Sequence, residues 1–250
     1  MKRTSAEIKQ LARGNLVHRY GIPITAQVMS EVITTALLLP FAWNLTDTSP
    51  LRELLIYYVA VFIVSLISVI LAVGRLVIAL RIARGQEYRF TDLFYGFKHH
   101  ADRYILAELL LIAIYLLPTA LTVGIIILSS MSRTMLQDVI IIGAVIVFLV
   151  VILILSLQYA LVFYILIDHP EWKLLEVFGT SRAWMKGNKG RLFYIYLSFI
   201  GWLLLAALSF GIGGLWVTPY MVQTQTQFYL GIAEEKKAVC EEGTAAVEEE

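Results

Sequence analysis

Six apolar runs, separated by connections that alternate between basic and nearly uncharged, constrain this chain more than any local motif. They lie at about 22–43, 54–80, 104–128, 139–167, 192–210 and 215–232. A helix crossing the hydrocarbon core needs roughly 20 mostly apolar residues, and five of the runs meet that comfortably. The run at 215–232 is the least apolar. Lys2, Arg3, Lys9, Arg13 and Arg19 precede the first run. Arg81, Arg84, Arg89, Lys98 and Arg103 lie between the second and third, and Lys173, Arg182, Lys186, Lys189 and Arg191 between the fourth and fifth. The intervening connections hold only Arg52 and Arg133, and the Gly211–Gly214 link holds none. Fifteen basic residues against two is a positive-inside pattern that puts both termini in the cytoplasm. The expected fold is all-α: a polytopic membrane protein of six transmembrane helices arranged as three hairpins.

Composition agrees. At 59% hydrophobic and 16% charged, the chain is more apolar than soluble domains, where about half and about a quarter are usual. The net charge of +1 conceals an uneven distribution. Seven glutamates against Lys236 and Lys237 give residues 233–250 a balance of −5, leaving +6 on residues 1–232. That stretch reads as a disordered acidic cytoplasmic tail. Cys240 is the single cysteine, so no intrachain disulfide forms. Residues 1–19 are polar and the first apolar run is long enough to stay in the membrane, so no cleavable signal is expected. The basic residues follow the membrane boundary and not one face, which argues against nucleic-acid binding.

The basic segments carry helical periodicity. Within the N-terminal segment (residues 1–20), Ile8, Leu11, Ala12 and Leu16 recur among Lys9, Arg13 and Arg19, and Thr4 with Glu7 has capping-box spacing. A second stripe uses Phe90, Leu93, Phe94, Phe97 and Ala101. A third uses Leu174, Val177, Phe178 and Trp184 or Met185. Basic amphipathic helices of this kind lie in the headgroup region with the apolar face down, or pack against the inner ends of their own bundle. Each precedes a pair of apolar runs, which suggests three units of amphipathic helix plus hairpin around the transmembrane domain at 21–232.

Residues 197–202 (LSFIGW), Gly211-Ile212-Gly213, Trp216-Val217-Thr218-Pro219-Tyr220 and Gln227-Phe228-Tyr229 resemble the signature of a bacterial membrane-protein family, domain of unknown function 975. Ile8-Lys9-Gln10-Leu11-Ala12-Arg13 and Leu93-Phe94-Tyr95-Gly96-Phe97 fit the same pattern. The resemblance covers nearly everything except the acidic tail. It implies a multi-pass protein of the bacterial cytoplasmic membrane and no particular reaction.

Ionisable groups inside apolar runs are costly and usually face partners or water. Glu31, Arg75 and Glu108 fall at similar depth in the inner half of their runs and could form one polar cluster. An ion- or proton-coupled site, a buried pair fixing helix register, and simple snorkelling of Arg75 all fit that placement. The last run adds Thr218, Gln223, Thr224, Gln225, Thr226 and Gln227, with Gln223 and Gln227 on one face. Pro219 should kink or begin that helix. Interhelical hydrogen bonding is the ordinary role of such residues; a solvated path is the sharper one. His99 and His100 are adjacent and so point apart on a helix, unlike metal ligands spaced by three or four. Asn44-Leu45-Thr46 matches a glycosylation sequon without functional weight in a bacterium. No catalytic, metal or cofactor residues stand out. The expectation is a non-enzymatic membrane scaffold, sensor or accessory subunit acting on membrane lipids, on a second copy of itself or on another membrane protein. The alternative is a small transporter, channel or export factor using Glu31, Arg75, Glu108, Gln223 and Gln227.

Overall fold

A computed structural model describes residues 3–43, 45–46, 49–129 and 135–248. Among these residues the regular structure is helical, with no strand. The helices are α1 (Ser5–Leu16), α2 (Gly21–Ala42), α3 (Leu51–Ala83), α4 (Tyr95–Lys98), α5 (Ala101–Ser129), α6 (Met135–Gln158), α7 (Val162–Asp168), α8 (Leu174–Met185), α9 (Lys189–Leu197), α10 (Ile200–Leu208) and α11 (Gly214–Glu248). A 3₁₀ turn at Phe90–Phe94 leads into α4. Five stretches are long and apolar enough to cross a membrane: Gly21–Ala42, Leu51–Ala83, Ala101–Ser129, Gln137–Asp168 and Lys189–Leu208. The protein is thus a membrane protein. The sixth expected run lies in α11, whose polar residues keep it below the apolarity a lipid-facing crossing requires.

The chain divides into two compact units, residues 1–105 with 191–250, and residues 106–190. In the first unit α2 and α3 pack antiparallel: residues 41–45 neighbour 53–56, and Pro23, Ala26 and Gln27 neighbour Arg75, Ile78 and Ala79. At about 1.5 Å per residue, α3 is about 50 Å long, well beyond the roughly 30 Å of hydrocarbon. Its two ends differ accordingly. Leu51, Leu55, Tyr58, Val59, Phe62 and Ile63 are exposed, whereas Leu71, Val73, Val77, Ile78, Leu80 and Ile82 are buried by protein.

Two glycines admit the segment that covers this buried C-terminal half. A Cβ on Gly74 would sit 1.9 Å from the carbonyl oxygen of Leu93, and one on Gly96 would sit 2.8 Å from Ile70 Cγ2. The backbone of residues 90–98 therefore lies directly on α3. Leu93 is fully buried beside Ala26, Leu71, Ile78 and Ile82, and Arg81 pairs with Asp92 at 2.7 Å. The stripe Phe90, Leu93, Phe94, Phe97 and Ala101, expected on one amphipathic helix, instead spans a 3₁₀ turn, a single α-helical turn and a break at His99–His100, where His100 has φ 54°.

The α1 helix begins with the expected capping box: Thr4 Oγ1 accepts from the Glu7 amide at 3.3 Å, and the Thr4 amide donates to Glu7 at 2.7 Å. Its apolar face, Ile8, Ala12 and Leu16, is buried against α11. Arg3 meets Glu234 at 2.6 Å while Leu16 lies near Pro219 and Val222, so the two helices run antiparallel.

α10 and α11 are joined by a tight turn. Gly211 takes φ 86° and its amide reaches back to Ala206 O at 2.9 Å, a helix-ending pattern that glycine accommodates without strain. α11 then continues through Pro219 as one helix to Glu248. This extends across most of the segment expected to be a disordered tail. Its alanine, glutamate and lysine content favours helix, and Glu234 and Glu235 are held by Arg3 and Arg191.

In the second unit α8 packs on α7 and on the C-terminal end of α6. Ser181 donates to Gln158 O at 3.0 Å, Lys189 reaches Gln158 Oε1 at 2.8 Å, and the Tyr159 and Phe178 rings lie 5.3 Å apart. The buried face of α8 is Val177, Phe178, Ser181 and Met185. Ile8, Ala12 and Leu16 of α1 and Val177, Phe178 and Met185 of α8 are thus buried by protein, while Leu11 and Leu175 are exposed.

Candidate functional site

A small pocket in the first unit is lined by α1, α2, α3 and α11. Arg75, next to Gly74, shares this pocket with residues of α2 and α11. Four polar side chains line it: Arg75, Gln27 on α2, and Thr218 and Gln223 on α11; Leu16, Ala26, Ile78 and Pro219 supply apolar wall. Gln223 is 1% exposed, and its Nε2 has no hydrogen-bond partner. Gln27 Oε1 is likewise buried and unpartnered. The cavity volume is about 30 Å³, and a bound water needs about 10–15 Å³ on this measure, room for about two or three waters.

The predicted cluster is only partly assembled here. Arg75 and Gln223 line the pocket. Glu31, one turn beyond Gln27 on α2, acts electrostatically on Arg75 but makes no ion pair with it within 4 Å. Gln227 is buried one turn along α11 from Gln223 and is not part of the lining. Glu108 belongs to the second unit, on α5. Thr224 and Thr226 return their hydroxyls to their own helix, donating to Tyr220 O at 2.7 Å and Val222 O at 2.9 Å. Those bonds let hydroxyls be fully buried. Gln27 escaped the sequence analysis, although its spacing of four from Glu31 puts both on one face of α2. A guanidinium and two amides can hold and orient a ligand through hydrogen bonds.

A second polar assembly ties the N-terminal segment to α9 and α11. Arg191 donates to Arg3 O at 2.6 Å and faces Glu235 at 3.5 Å, with its guanidinium 5.5 Å from the Phe228 ring centre. Nearby, Lys9 lies 4.8 Å from the Phe199 ring centre. Burial pushes its ammonium below the ordinary lysine range.

The histidines are dispersed. His99 stacks on Tyr95 at 4.2 Å, and His169 stacks on Trp172 at 4.1 Å beside Glu171. No group of three or more His, Cys, Asp or Glu side chains among the described residues is arranged to hold a metal. Asn44 and Arg133 lie outside the described residues, as does the side chain of Cys240.

In the second unit α5 and α6 hardly touch along their lengths, and a gap of about 850 Å³ separates them. Its lining is apolar apart from Thr122, whose hydroxyl is bonded to Pro118 O at 2.9 Å. No residue of the apolar 18-residue window within Gln137–Asp168 is buried by the rest of the chain.

A family model described as "Protein of unknown function (DUF975)" matches residues 1–236. No curated protein and no solved structure matches.

Proposed function

The chain belongs to the DUF975 family of proteins of unknown function, and from the geometry we propose that it is a non-enzymatic scaffold or accessory subunit of the bacterial cytoplasmic membrane. It receives a transmembrane helix of another protein between α5 and α6. The gap between those two helices carries the proposal. Helix association within a bilayer draws on close van der Waals packing, for which small residues at the interface are the usual means. Gly143, Ala144 and Ala113 line the gap, and a Cβ on Gly143 would meet nothing within 4 Å.

The chain crosses six times with both termini inside, α11 making the last crossing. The five-residue link from α10 supports this, because it turns the chain back. The burial of Gln223, Thr224, Thr226 and Gln227 supports it too: a crossing helix enclosed by α1, α2 and α3 needs no lipid-compatible surface. The inner ends are closed by α1, residues 90–98 and α8, whose apolar faces are used within the protein, so lipid contact falls to the exposed outer halves of the helices. The transport alternative draws on Arg75 and Gln223, which line one small pocket of about 30 Å³.

Photo-crosslinking residues introduced at Leu117 and Val147 in native membranes test the docking role. A single transmembrane protein should be captured from both positions. It should crosslink back from its own membrane segment, and be lost in Gly143→Leu. Capture of lipid alone would refute the proposal.

A further inference from the structure

We propose that the transmembrane helix received between α5 and α6 carries a lysine or arginine, and that Glu108 recognises it by forming an intramembrane ion pair. The inference rests on the docking role and names the chemistry of the partner. Glu108 is half-buried on α5, within the stretch Ala101–Ser129 that is long and apolar enough to cross a membrane. Among the described residues its side chain has neither an ion pair nor a hydrogen bond. Lys189, which reaches the C-terminal end of α6, is held instead by Gln158 Oε1 at 2.8 Å. A carboxylate inside a membrane span is costly and is ordinarily matched by a partner.

Helix geometry ties Glu108 to the gap. Glu108, Tyr115 and Thr122 follow one another at intervals of seven residues, so they stay within about 40° on one face of α5. Thr122 is part of the gap's wall, which begins on α5 at Ala113 and ends on α6 at Leu155. Tyr159 lies one turn beyond Leu155, and both Tyr159 and Glu108 act electrostatically on Tyr115. The α5 stripe and the end of α6 therefore meet at one mouth of the gap. A seven-residue stripe is the kind that a left-handed helix pair keeps turned toward its neighbour. Gly143, Ala144 and Ala113 let a helix backbone approach closely, which sets its side chain of matching depth beside Glu108. A cation there meets the carboxylate with little solvent screening. The Tyr115 and Tyr159 hydroxyls donate to the carboxylate or accept from the cation. A helix that is apolar or acidic at that depth leaves Glu108 unpaired and is disfavoured.

The test uses the full chain in native membranes with a photo-crosslinking residue at Leu117, and the captured segment is sequenced by mass spectrometry. Wild type is compared with Glu108→Gln, which removes the charge and keeps the size. The captured segment should contain a lysine or arginine, and capture should fall about tenfold or more in Glu108→Gln, the loss of a charge-assisted hydrogen bond. Glu108→Lys should recover capture only when the partner's basic residue is changed to glutamate. Should Glu108→Gln not fold, changing the partner's basic residue to methionine leaves this chain intact and should give the same tenfold loss. Undiminished capture in Glu108→Gln or with the methionine partner would overturn the ion pair while the docking role stands, as would a captured segment lacking lysine and arginine. Capture of lipid alone from both Leu117 and Val147 would remove the docking role, and this proposal with it.

Discussion

Replacing Gly74 by alanine sets two effects of opposite sign against each other. Within an isolated helix the change is favourable by about 1 kcal/mol, since glycine is the costlier residue in a helix interior. In this fold the added methyl would lie 1.9 Å from the Leu93 carbonyl oxygen, 2.5 Å from its carbon and 2.7 Å from its Cα. All three are backbone atoms, so no rotamer change relieves the overlap, and the 90–98 segment has to lift from α3. Overpacking of this kind costs about 1–3 kcal/mol. Partial exposure of Leu93 draws on a further share of the roughly 1.5–3 kcal/mol that its burial contributes. The steric effect wins, and Gly74→Ala should lose about 1–3 kcal/mol net. Gly124→Ala is the control: α5 has nothing within 4 Å of a Cβ there, so stability should hold or rise. Reversible unfolding in detergent measures the difference, and hydrogen exchange should show residues 90–98 loosening first. If Gly74→Ala were as stable as Gly124→Ala, the contact between these segments would not exist as described.

Leu16→Ala should destabilise by about 2–5 kcal/mol, the range for emptying a buried leucine site, because Leu16 is buried at the end of α1. A helix lying on the bilayer surface would lose only lipid affinity, so an unaltered unfolding midpoint would contradict its packing on α11. Arg191→Ala removes the bonds to Arg3 O and Glu235 and should cost about 1.5–3 kcal/mol, as hydrogen bonds to charged groups do. Faster trypsin cleavage within α1 reads that loss. Arg3→Ala should cost no more than about 1 kcal/mol, since its pair with Glu234 is largely solvated.

Much of the helical layout was legible because membrane crossing imposes length and apolarity directly on the sequence. The runs at 22–43 and 54–80 correspond to α2 and α3, and the Thr4–Glu7 spacing is that of the capping box whose two hydrogen bonds form. The breaks between α6 and α7 and between α9 and α10 were not legible, since Tyr159-Ala160-Leu161 and Ser198-Phe199 carry neither proline nor glycine. The polar character of the last run was visible, but its cause, enclosure by α1, α2 and α3, depends on contacts far apart in sequence. For the same reason depth alone could not pick out Gln27. Depth along a helix can be counted from residue numbers, whereas the direction a side chain faces depends on which helix packs beside it. Gly74 and Gly96 looked unremarkable within their runs, and only the approach of another backbone explains them.

Sided labelling tests the six-crossing arrangement most directly. Cys240 is the single native cysteine, so intact cells treated with a membrane-impermeant maleimide report its side without background. A Phe210→Cys variant on a Cys240→Ser background reports the α10–α11 turn, where Phe210 is 98% exposed. The account predicts that position 210 labels in intact cells and that Cys240 labels only after permeabilisation. Labelling of both positions from the same side would mean that α11 does not cross, and would remove the basis for the enclosed polar helix and its pocket.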